Sequence, residues 1–400
     1  MSDGGVRLSS RLATVKPSAT LAVTTALTEL RRQGKDVIDL AIGEPDFDTP
    51  EHIKAAAARA LAAGRTKYTP VGGTLELKRA IATKLARDNG LHYEPEEIIA
   101  STGGKQALLN AFVALFDVGD EVIVPAPYWV SYVDMIRLAG ATPVLVSTHE
   151  RDGYRMTPAA LAAAIGPRTR GLVLNSPANP TGSAYDAAEL RALGALCLAH
   201  GLVVVSDDVY ERLTYDGFVQ SHLVALVPEL RARTVVVSSC SKTYAMTGWR
   251  LGYAAGPAHV IAAMATLQGQ STSNPSSISQ AAAVEALAGP QRCVDDMVAE
   301  FGRRRAYVLG RLAAIPGVTA AVPRGAFYVF PNVATAFGGR IGSSSVLARF
   351  LLADHGIAVV GGADFGAPDC IRISYATSMA LLEQGMDRLA RGLRSTVAPP

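Results

Sequence analysis

Short β-branched and apolar runs alternate with helical segments between about residues 100 and 255. This alternation is typical of a mostly parallel sheet covered by helices. Three of the runs, at residues 171–174, 202–206 and 234–237, are followed at once by polar side chains. Ligands bind beyond the carboxyl ends of the strands in open α/β sheets. We therefore expect these polar side chains to meet at one edge of the sheet and to form a binding site there.

Outside this region the pattern predicts fewer elements. Residues 50–63 are alanine-rich and amphipathic and predict a helix, and residues 294–312 predict a longer, arginine-rich helix. Strand-like runs follow at residues 326–330 and 371–373. The glycine-rich residues 337–343 predict a mobile loop.

A chain of 400 residues, of which 49% are hydrophobic, is long enough for one large domain or two moderate ones. The pattern changes after Pro290, which places the end of a large domain there. The formal net charge of +3 is too small to indicate nucleic-acid binding. Four scattered cysteines show neither a disulfide framework nor metal-ligand spacing, so we expect no metal site and a reduced, cytoplasmic setting. No run approaches the roughly 20 apolar residues that cross a bilayer, and we expect no membrane contact.

Lys242 follows the third run, in the segment Ser238-Ser239-Cys240-Ser241-Lys242 that precedes Thr247-Gly248-Trp249-Arg250. An amine that condenses with an aldehyde must be neutral, and nearby cations or apolar groups lower a lysine pKa enough to provide that form. Arg250 is such a neighbour. A lone lysine is ordinarily a solvated loop residue. Lys242, however, follows a predicted strand, and Asp207 and Asn179 follow the other two. This shared position favours a role for Lys242 as a cofactor anchor.

A second candidate segment is the pair Gly103-Gly104, which is followed by Lys105 and a helical run. Glycines let backbone amides approach an anion at a helix N-terminus, where the partial positive charge of the peptide dipoles also lies. A glycine pair alone indicates only a loop. Between a predicted strand and a predicted helix, this pair predicts a phosphate-binding segment.

The motifs along the chain resemble those of one family, the class I/II aminotransferases of pyridoxal-phosphate (PLP) fold-type I. Several of the motifs are weak singly, but their order and spacing together are specific. Within that family the chain looks closest to the bacterial and plastid aspartate and prephenate aminotransferases. The matching motifs are Lys16-Pro17-Ser18-Ala19-Thr20, Gly43-Glu44-Pro45-Asp46-Phe47, Gly103-Gly104-Lys105-Gln106-Ala107, Pro127-Tyr128-Trp129, Asn179-Pro180-Thr181-Gly182, Asp207-Asp208-Val209-Tyr210, the segment from Lys242 to Arg250, and Arg372-Ile373-Ser374.

The resemblance implies an α/β fold with two domains. A large PLP-binding domain over residues 46–290 would contain a mostly parallel sheet sandwiched by helices. Residues 1–45 would form an N-terminal arm and part of a smaller α+β domain, which residues 291–400 would complete. The resemblance also implies a homodimer with shared active sites, because Tyr68 matches the position that reaches the phosphate of the neighbouring subunit.

The resemblance further implies roles around PLP. Lys242 would bind the cofactor covalently and then transfer the substrate Cα proton as general base and acid. Asp207 would keep the ring nitrogen protonated, Tyr210 and Asn179 would donate to the ring oxygen, and Trp129 would stack on the ring. From spacing alone, Asp207 could instead be a turn or capping aspartate, and Tyr210 and Trp129 could be ordinary core residues. The implied phosphate shell consists of Gly103, Gly104, Lys105, Ser239, Ser241 and Arg250.

The substrate-binding roles implied by the resemblance centre on Arg372, at the edge of a strand in the smaller domain. Its guanidinium would hold the substrate α-carboxylate bidentately, and the backbone of Gly43 would close on the same group. Lys105 matches a position that contacts the distal carboxylate, and Lys16 and Thr20 match positions linked to prephenate. Each residue also has a plainer alternative. Arg372 could be a surface arginine, Gly43 a turn glycine, and Lys16 and Lys105 solvated lysines. Thr20 could be a helix N-cap.

These assignments predict a ping-pong transfer of an amino group from aspartate or glutamate to a 2-oxo acid or prephenate. Asp208, Ser238-Ser239-Cys240 and Gly361-Gly362 depart from the residues usual in the subgroup, which leaves room for an enzyme of another pathway. A PLP-dependent lyase or decarboxylase would keep the same cofactor residues. A PLP-responsive transcriptional regulator would need a DNA-binding module, for which too few residues precede Lys16.

Overall fold

The computed structural model describes residues 8–15, 19–339 and 341–396. The α-helices in these ranges are α1 (Ala19–Arg32), α2 (Glu51–Ala62), α3 (Leu75–Lys84), α4 (Gly104–Leu115), α5 (Ser131–Leu138), α6 (Pro158–Ala164), α7 (Ala187–Ala199), α8 (Leu223–Leu226), α9 (Cys240–Thr243), α10 (Ala258–Gly269), α11 (Ser277–Ala288), α12 (Arg292–Ala313), α13 (Ser344–His355) and α14 (Met379–Thr396). The strands are β1 (Ile38–Asp39), β2 (Ile98–Ser101), β3 (Glu121–Ala126), β4 (Thr142–Ser147), β5 (Thr169–Asn175), β6 (Val203–Asp207), β7 (Thr234–Ser239), β8 (Gly252–Ala255), β9 (Tyr328–Val329), β10 (Ile357–Ala358), β11 (Val360–Gly361) and β12 (Ile371–Ser374).

The largest sheet joins its strands in the order β2-β8-β7-β6-β5-β3-β4. Strands β7, β6, β5, β3 and β4 run parallel, and β8 is antiparallel to both of its neighbours. Val173, Val205 and Val237 pack with residues of α4, α5 and α10, whereas Leu172 and Val204 pack with residues of α6 and α7. Successive side chains of a strand point to opposite faces, so both faces of this sheet are covered by helices. The predicted α/β fold, with a mostly parallel sheet between helices, is confirmed.

Two small sheets complete the fold. Strands β11, β12 and β9 form an antiparallel sheet with β12 in the middle, and β1 pairs in parallel with β10. The alternative that Arg372 is a surface arginine is therefore wrong. It lies in the central strand β12 and is only 1% exposed, because both neighbouring strands and the aromatic rings of Tyr328 and Phe365 cover it.

The predicted helices at residues 50–63 and 294–312 are observed as α2 and α12. The strand-like run at residues 326–330 gives only the two-residue strand β9. Ala326 has φ 58, in the left-handed region, and a residue in that conformation cannot continue a strand. The mobile loop at residues 337–343 stays a prediction, because Arg340 lies outside the described residues.

The division into domains at residues 46 and 290 also stays a prediction. A buried cluster centred on α12, α14, β9 and β12 does include residues from both sides of those boundaries, among them Leu40 and Leu213. In the described ranges, no helix combines the length and the apolar character needed to cross a bilayer.

We expect Phe301→Ala to lower the free energy of unfolding by about 3 to 5 kcal/mol, the usual cost of emptying a buried phenylalanine site. Phe301 is fully buried, and its ring lies 5.4 Å from the ring centroids of both Phe47 and Phe327. Urea denaturation would measure the change. The exposed control Val219→Ala should change stability by no more than about 0.5 kcal/mol, and an equal loss in both variants would contradict the assignment of this core.

Candidate active site

A cavity of about 280 Å³ lies at the carboxyl ends of β5, β6 and β7. The three polar clusters predicted to meet at this sheet edge do meet there. The predicted site residues that line the cavity are Gly43, Gly104, Lys105, Trp129, Asn179, Asp207, Tyr210, Ser239, Ser241, Lys242, Arg250 and Arg372.

Lys242 lies in the short helix α9, directly after β7. Its ammonium donates a hydrogen bond to the backbone carbonyl of Gly43. Burial lowers the pKa of Lys242 to about 8; Glu44 opposes this shift, while the nearby charge of Arg372 adds to it. An amine with this pKa has an appreciable neutral fraction near neutral pH, as a nucleophile or general base requires.

Asp207 ends β6 and is buried beside the cavity. Its carboxylate accepts a hydrogen bond of 2.5 Å from the hydroxyl of Tyr132 and one of 3.3 Å from the backbone N–H of Val209. Burial nevertheless raises the pKa of Asp207 to about 6. No Lys, Arg or His in the described part of the chain forms an ion pair with it. A buried carboxylate that lacks such an ion pair suits a ligand that presents a protonated nitrogen.

Two asparagines link the strand ends to Arg372. The side-chain amide of Asn175, at the end of β5, donates to the backbone carbonyl of Asp207 at 2.8 Å. Its oxygen accepts from the backbone N–H of Asn179 at 3.0 Å. The side-chain oxygen of Asn179 in turn accepts from Arg372 at 3.0 Å, which leaves the amide N–H groups of Asn179 as its donors toward a ligand.

The start of α4 forms a candidate anion site. The helix begins at Gly104, and Gly103 precedes it with φ 85. A Cβ on Gly103 would overlap the guanidinium of Arg250, so only glycine allows this close approach. The hydroxyl of Ser239 accepts from the backbone N–H of Ser241 at 3.3 Å beside the same helix start. Unpaired N–H groups, hydroxyls and a guanidinium are the donors that a phosphate needs.

Arg372 faces the cavity from β12. Its two terminal nitrogens donate to the backbone carbonyl of Ala41 at 2.6 Å and to Asn179. Its guanidinium carbon lies 4.5 Å from the ring centroid of Tyr328 and 5.2 Å from that of Phe365. Nε is buried and has no hydrogen-bond partner, and no carboxylate within the described ranges forms an ion pair with this guanidinium. The group therefore suits a carboxylate ligand.

Trp129 and Lys105 lie together at the cavity wall. The Lys105 ammonium is 5.0 Å from the Trp129 ring centroid. Burial lowers the pKa of Lys105, and the charge of Arg250 adds to the effect. Trp129 also makes an edge-on contact with the ring of Tyr132 at 5.3 Å. Trp129 is thus a wall of the cavity and not only a core residue.

Among the predicted site residues, Tyr68 does not line this cavity within its own chain. Tyr68 is 91% exposed and borders a separate surface groove with Lys67 and Ser277. Lys16 lies outside the described residues. α1 begins at Ala19, but the side chain of Thr20 lies outside the described residues, so both of its predicted roles stay predictions.

Tyr132 and Tyr328 also line the cavity, although none of the sequence motifs includes them. Tyr132 lies three residues after Trp129, which the sequence motifs did identify, and this closeness in sequence is a signal that could have identified Tyr132. Tyr328 lies 118 residues from its hydrogen-bond partner Tyr210, and no local pattern connects the two.

A separate buried cluster lies outside the cavity. Asp208, Glu211 and His222 offer potential metal-ligand atoms within 4.8 Å of one another. The ammonium of Lys84 contacts Glu211, and His222 Nδ1 lies 2.9 Å from Asp208. A cation and an imidazole already satisfy these carboxylates, so we interpret the cluster as an ion-pair network.

The pKa of Asp207 predicts how stability depends on pH in the cofactor-free protein. Unfolded, its carboxyl has a pKa of about 4; folded, about 6. Below pH 4 the group is neutral in both states, and as pH rises to 7 its ionisation favours unfolding. We therefore expect Asp207→Asn to gain stability over the wild type by about 2 kcal/mol between pH 4 and pH 7. Urea denaturation at each pH would measure the difference, and a difference independent of pH would contradict this account.

The sequence matches the family model described as aminotransferase class I and II over residues 35–389. It is 51% identical to an aspartate/prephenate aminotransferase of Cereibacter sphaeroides, over 96% of this chain and 97% of that protein. It is 50% identical to an aspartate aminotransferase of Geobacillus stearothermophilus, over 96% and 98%. The fold is similar to the crystal structure of the Rhizobium meliloti aspartate aminotransferase, with a TM-score of 0.94, 47% identity and coverage of 98% and 99%. It is also similar to the Thermus thermophilus aspartate aminotransferase with maleate, with a TM-score of 0.92, 46% identity and coverage of 97% and 100%. The chain therefore belongs to the aminotransferase class I and II family.

Proposed function

We propose that this aminotransferase binds PLP at Lys242 and transfers the amino group of aspartate or glutamate to a 2-oxo acid or to prephenate. The observation that carries the proposal is a pair of buried charges that line the cavity of Lys242 and form no ion pair within the described ranges. Asp207 supplies the negative charge and Arg372 the positive one. Leaving a charge buried and unpaired is costly, so both groups fit a ligand of complementary charge.

The residues around the cavity fit PLP. The carboxylate of Asp207 would face the ring nitrogen, and Tyr210 and Asn179 would donate to the ring oxygen. The start of α4 and Arg250 would bind the phosphate, together with Ser239 and Ser241. Bound PLP would supply an electron sink for the charge left on the substrate Cα when its proton is removed.

Lys242 would act as the general base at the substrate Cα. Its pKa of about 8 leaves part of the amine neutral at physiological pH. The backbone carbonyl of Gly43 orients the amine by accepting its hydrogen bond. In this position Nζ would accept the Cα proton.

Arg372 would bind the substrate α-carboxylate. Ala41 and Asn179 fix the plane of the guanidinium, so its orientation is set before the ligand arrives. A carboxylate held in a fixed plane also fixes the direction of the Cα–H bond relative to the base. This fixed orientation supports a substrate-binding role for Arg372 rather than a purely structural one.

The amino donor is proposed to be a dicarboxylic amino acid. Lys105 is a cation at the wall of the cavity and is available for a second carboxylate. Relatives of about 50% identity are named as aspartate or aspartate/prephenate aminotransferases, which supports the same choice. The proposed contributions of Lys16 and Thr20 to prephenate binding rest on the resemblance alone.

We also propose a homodimer with shared active sites, located in the cytoplasm. A tyrosine that is 91% exposed, such as Tyr68, leaves a large aromatic surface in water unless a partner covers it. The proposed dimer would place this side chain at the phosphate site of the neighbouring subunit. The domain division at residues 46 and 290 belongs to the same proposal.

Borohydride reduction followed by peptide mapping tests the anchor. We expect the reduced cofactor on the tryptic peptide that contains Lys242 in the wild type. Lys242→Ala should carry no label and should lose turnover, because it lacks both the attachment point and the base.

The matched control is Lys105→Ala, which removes a second cavity lysine and should keep the label on Lys242. An unlabelled Lys242 peptide in the wild type would contradict the proposal. Release of ammonia or of a decarboxylated product without added 2-oxo acid would instead indicate a lyase or decarboxylase.

A half-reaction screen tests the role of Lys105. Following the cofactor absorption band, we expect aspartate or glutamate to react fastest with the wild type. Lys105→Ala should lower kcat/KM for aspartate roughly 10- to 100-fold, as expected for one lost charged hydrogen bond, and should change that for alanine much less. Equal losses for both amino acids, or a wild-type preference for basic or aromatic donors, would contradict the assignment.

A further inference from the structure

Tyr328 contacts both Tyr210 and Arg372, and none of the sequence motifs includes it. It lies in β9, is fully buried, and its side chain lines the cavity. Its hydroxyl lies 3.0 Å from the hydroxyl of Tyr210, and its ring lies against the guanidinium of Arg372. One side chain thus contacts a residue proposed to bind the cofactor and one proposed to bind the substrate carboxylate.

The hydrogen bond between the two phenols has a definite direction under the proposed function. A phenol has one proton to donate. If Tyr210 donates its proton to the cofactor ring oxygen, Tyr328 must donate to the oxygen of Tyr210. Burial raises the pKa of Tyr328, which keeps it protonated as this role requires; the charge of Arg372 opposes that rise.

A donor behind Tyr210 strengthens the hydrogen bond that Tyr210 itself donates, because linked hydrogen bonds polarise one another. On the other side, the ring of Tyr328 supports the guanidinium of Arg372 by a cation–π contact at 4.5 Å. The hydroxyl and the ring therefore act on two different ends of the same ligand site.

We propose that Tyr328 is a positioning residue for the transamination, with its hydroxyl acting through Tyr210 and its ring acting through Arg372. This inference rests on the proposed function. A purely structural tyrosine would fill the same volume, but its hydroxyl would have no effect specific to Tyr210. The charged and titratable groups that interact with the phenol include Arg372, Tyr210, Glu44 and Tyr375.

The hydroxyl is tested by the pH midpoint of the cofactor absorption change in the holoenzyme. A donor at the ring oxygen stabilises its anionic form and so lowers this midpoint. Tyr328→Phe should raise the midpoint by roughly 0.2 to 0.5 unit through the weaker donation of Tyr210. Tyr210→Phe should raise it more, and adding Tyr328→Phe to Tyr210→Phe should cause no further shift.

A matched control is Tyr215→Phe. Tyr215 belongs to the same buried cluster, and its hydroxyl donates to the backbone carbonyl of Ala326. Removing the Tyr215 hydroxyl should leave the pH midpoint of the cofactor absorption change unchanged. Additive shifts of the Tyr210 and Tyr328 variants, or an equal shift in Tyr215→Phe, would overturn the role of the Tyr328 hydroxyl.

The ring is tested by calorimetric binding of maleate, a dicarboxylate without an amino group to transfer. Tyr328→Leu removes the ring and should weaken binding on the order of fivefold or more, whereas Tyr328→Phe should stay within about twofold of the wild type. Equal affinities of both variants and the wild type would overturn the role of the ring.

Different results would refute the proposed function and the proposed role of Tyr328. A wild-type protein without a pH-dependent cofactor band and without maleate binding would refute the proposed function. A wild-type protein that shows both, with Tyr328 variants that match it, would refute only the role of Tyr328.

Discussion

The parallel pairing of β5, β6 and β7 is the constraint on which the whole site depends. In this register Asn175 is opposite Asp207, and Asp207 is opposite Val237. The polar residues that follow the three strands therefore emerge at one level of the sheet, with Lys242 a few residues beyond β7. A slip by one residue would move every side chain to the opposite face. Both faces are buried under helices, and this burial fixes the register and with it the site.

The site contains two buried ionisable groups, Asp207 and Arg372, whose hydrogen-bond partners in the described part of the chain are neutral. Tyr132 donates to Asp207, while the carbonyl of Ala41 and the amide of Asn179 accept from Arg372. Burial moves the pKa of Asp207 up and that of Lys242 down, so each is driven toward its neutral form. This arrangement costs stability, and it makes each charge act strongly on a ligand because little water screens it.

The small sheet and the N-terminal segment close the site from the side opposite the large sheet. The hydrogen bond between Arg372 and Ala41 joins positions 331 residues apart. On the outer side of the same segment, Arg304 of α12 donates to Asp46 at 2.6 Å. These contacts hold the carbonyl of Gly43 against Lys242. The geometry of the base thus depends on elements from both ends of the chain.

The sequence by itself determined the parallel sheet, the helices α2 and α12 and the cluster of polar strand ends, because hydrophobic period and turn chemistry are local properties. The ordered motifs also identified the family and most cavity residues, including Lys242 and Asp207. Only the tertiary structure decided that Arg372 lies in a central buried strand and that Tyr132 and Tyr328 join the site. Those facts depend on contacts between segments far apart in the chain and on the loss of water around them, and neither leaves a periodic signal in the sequence.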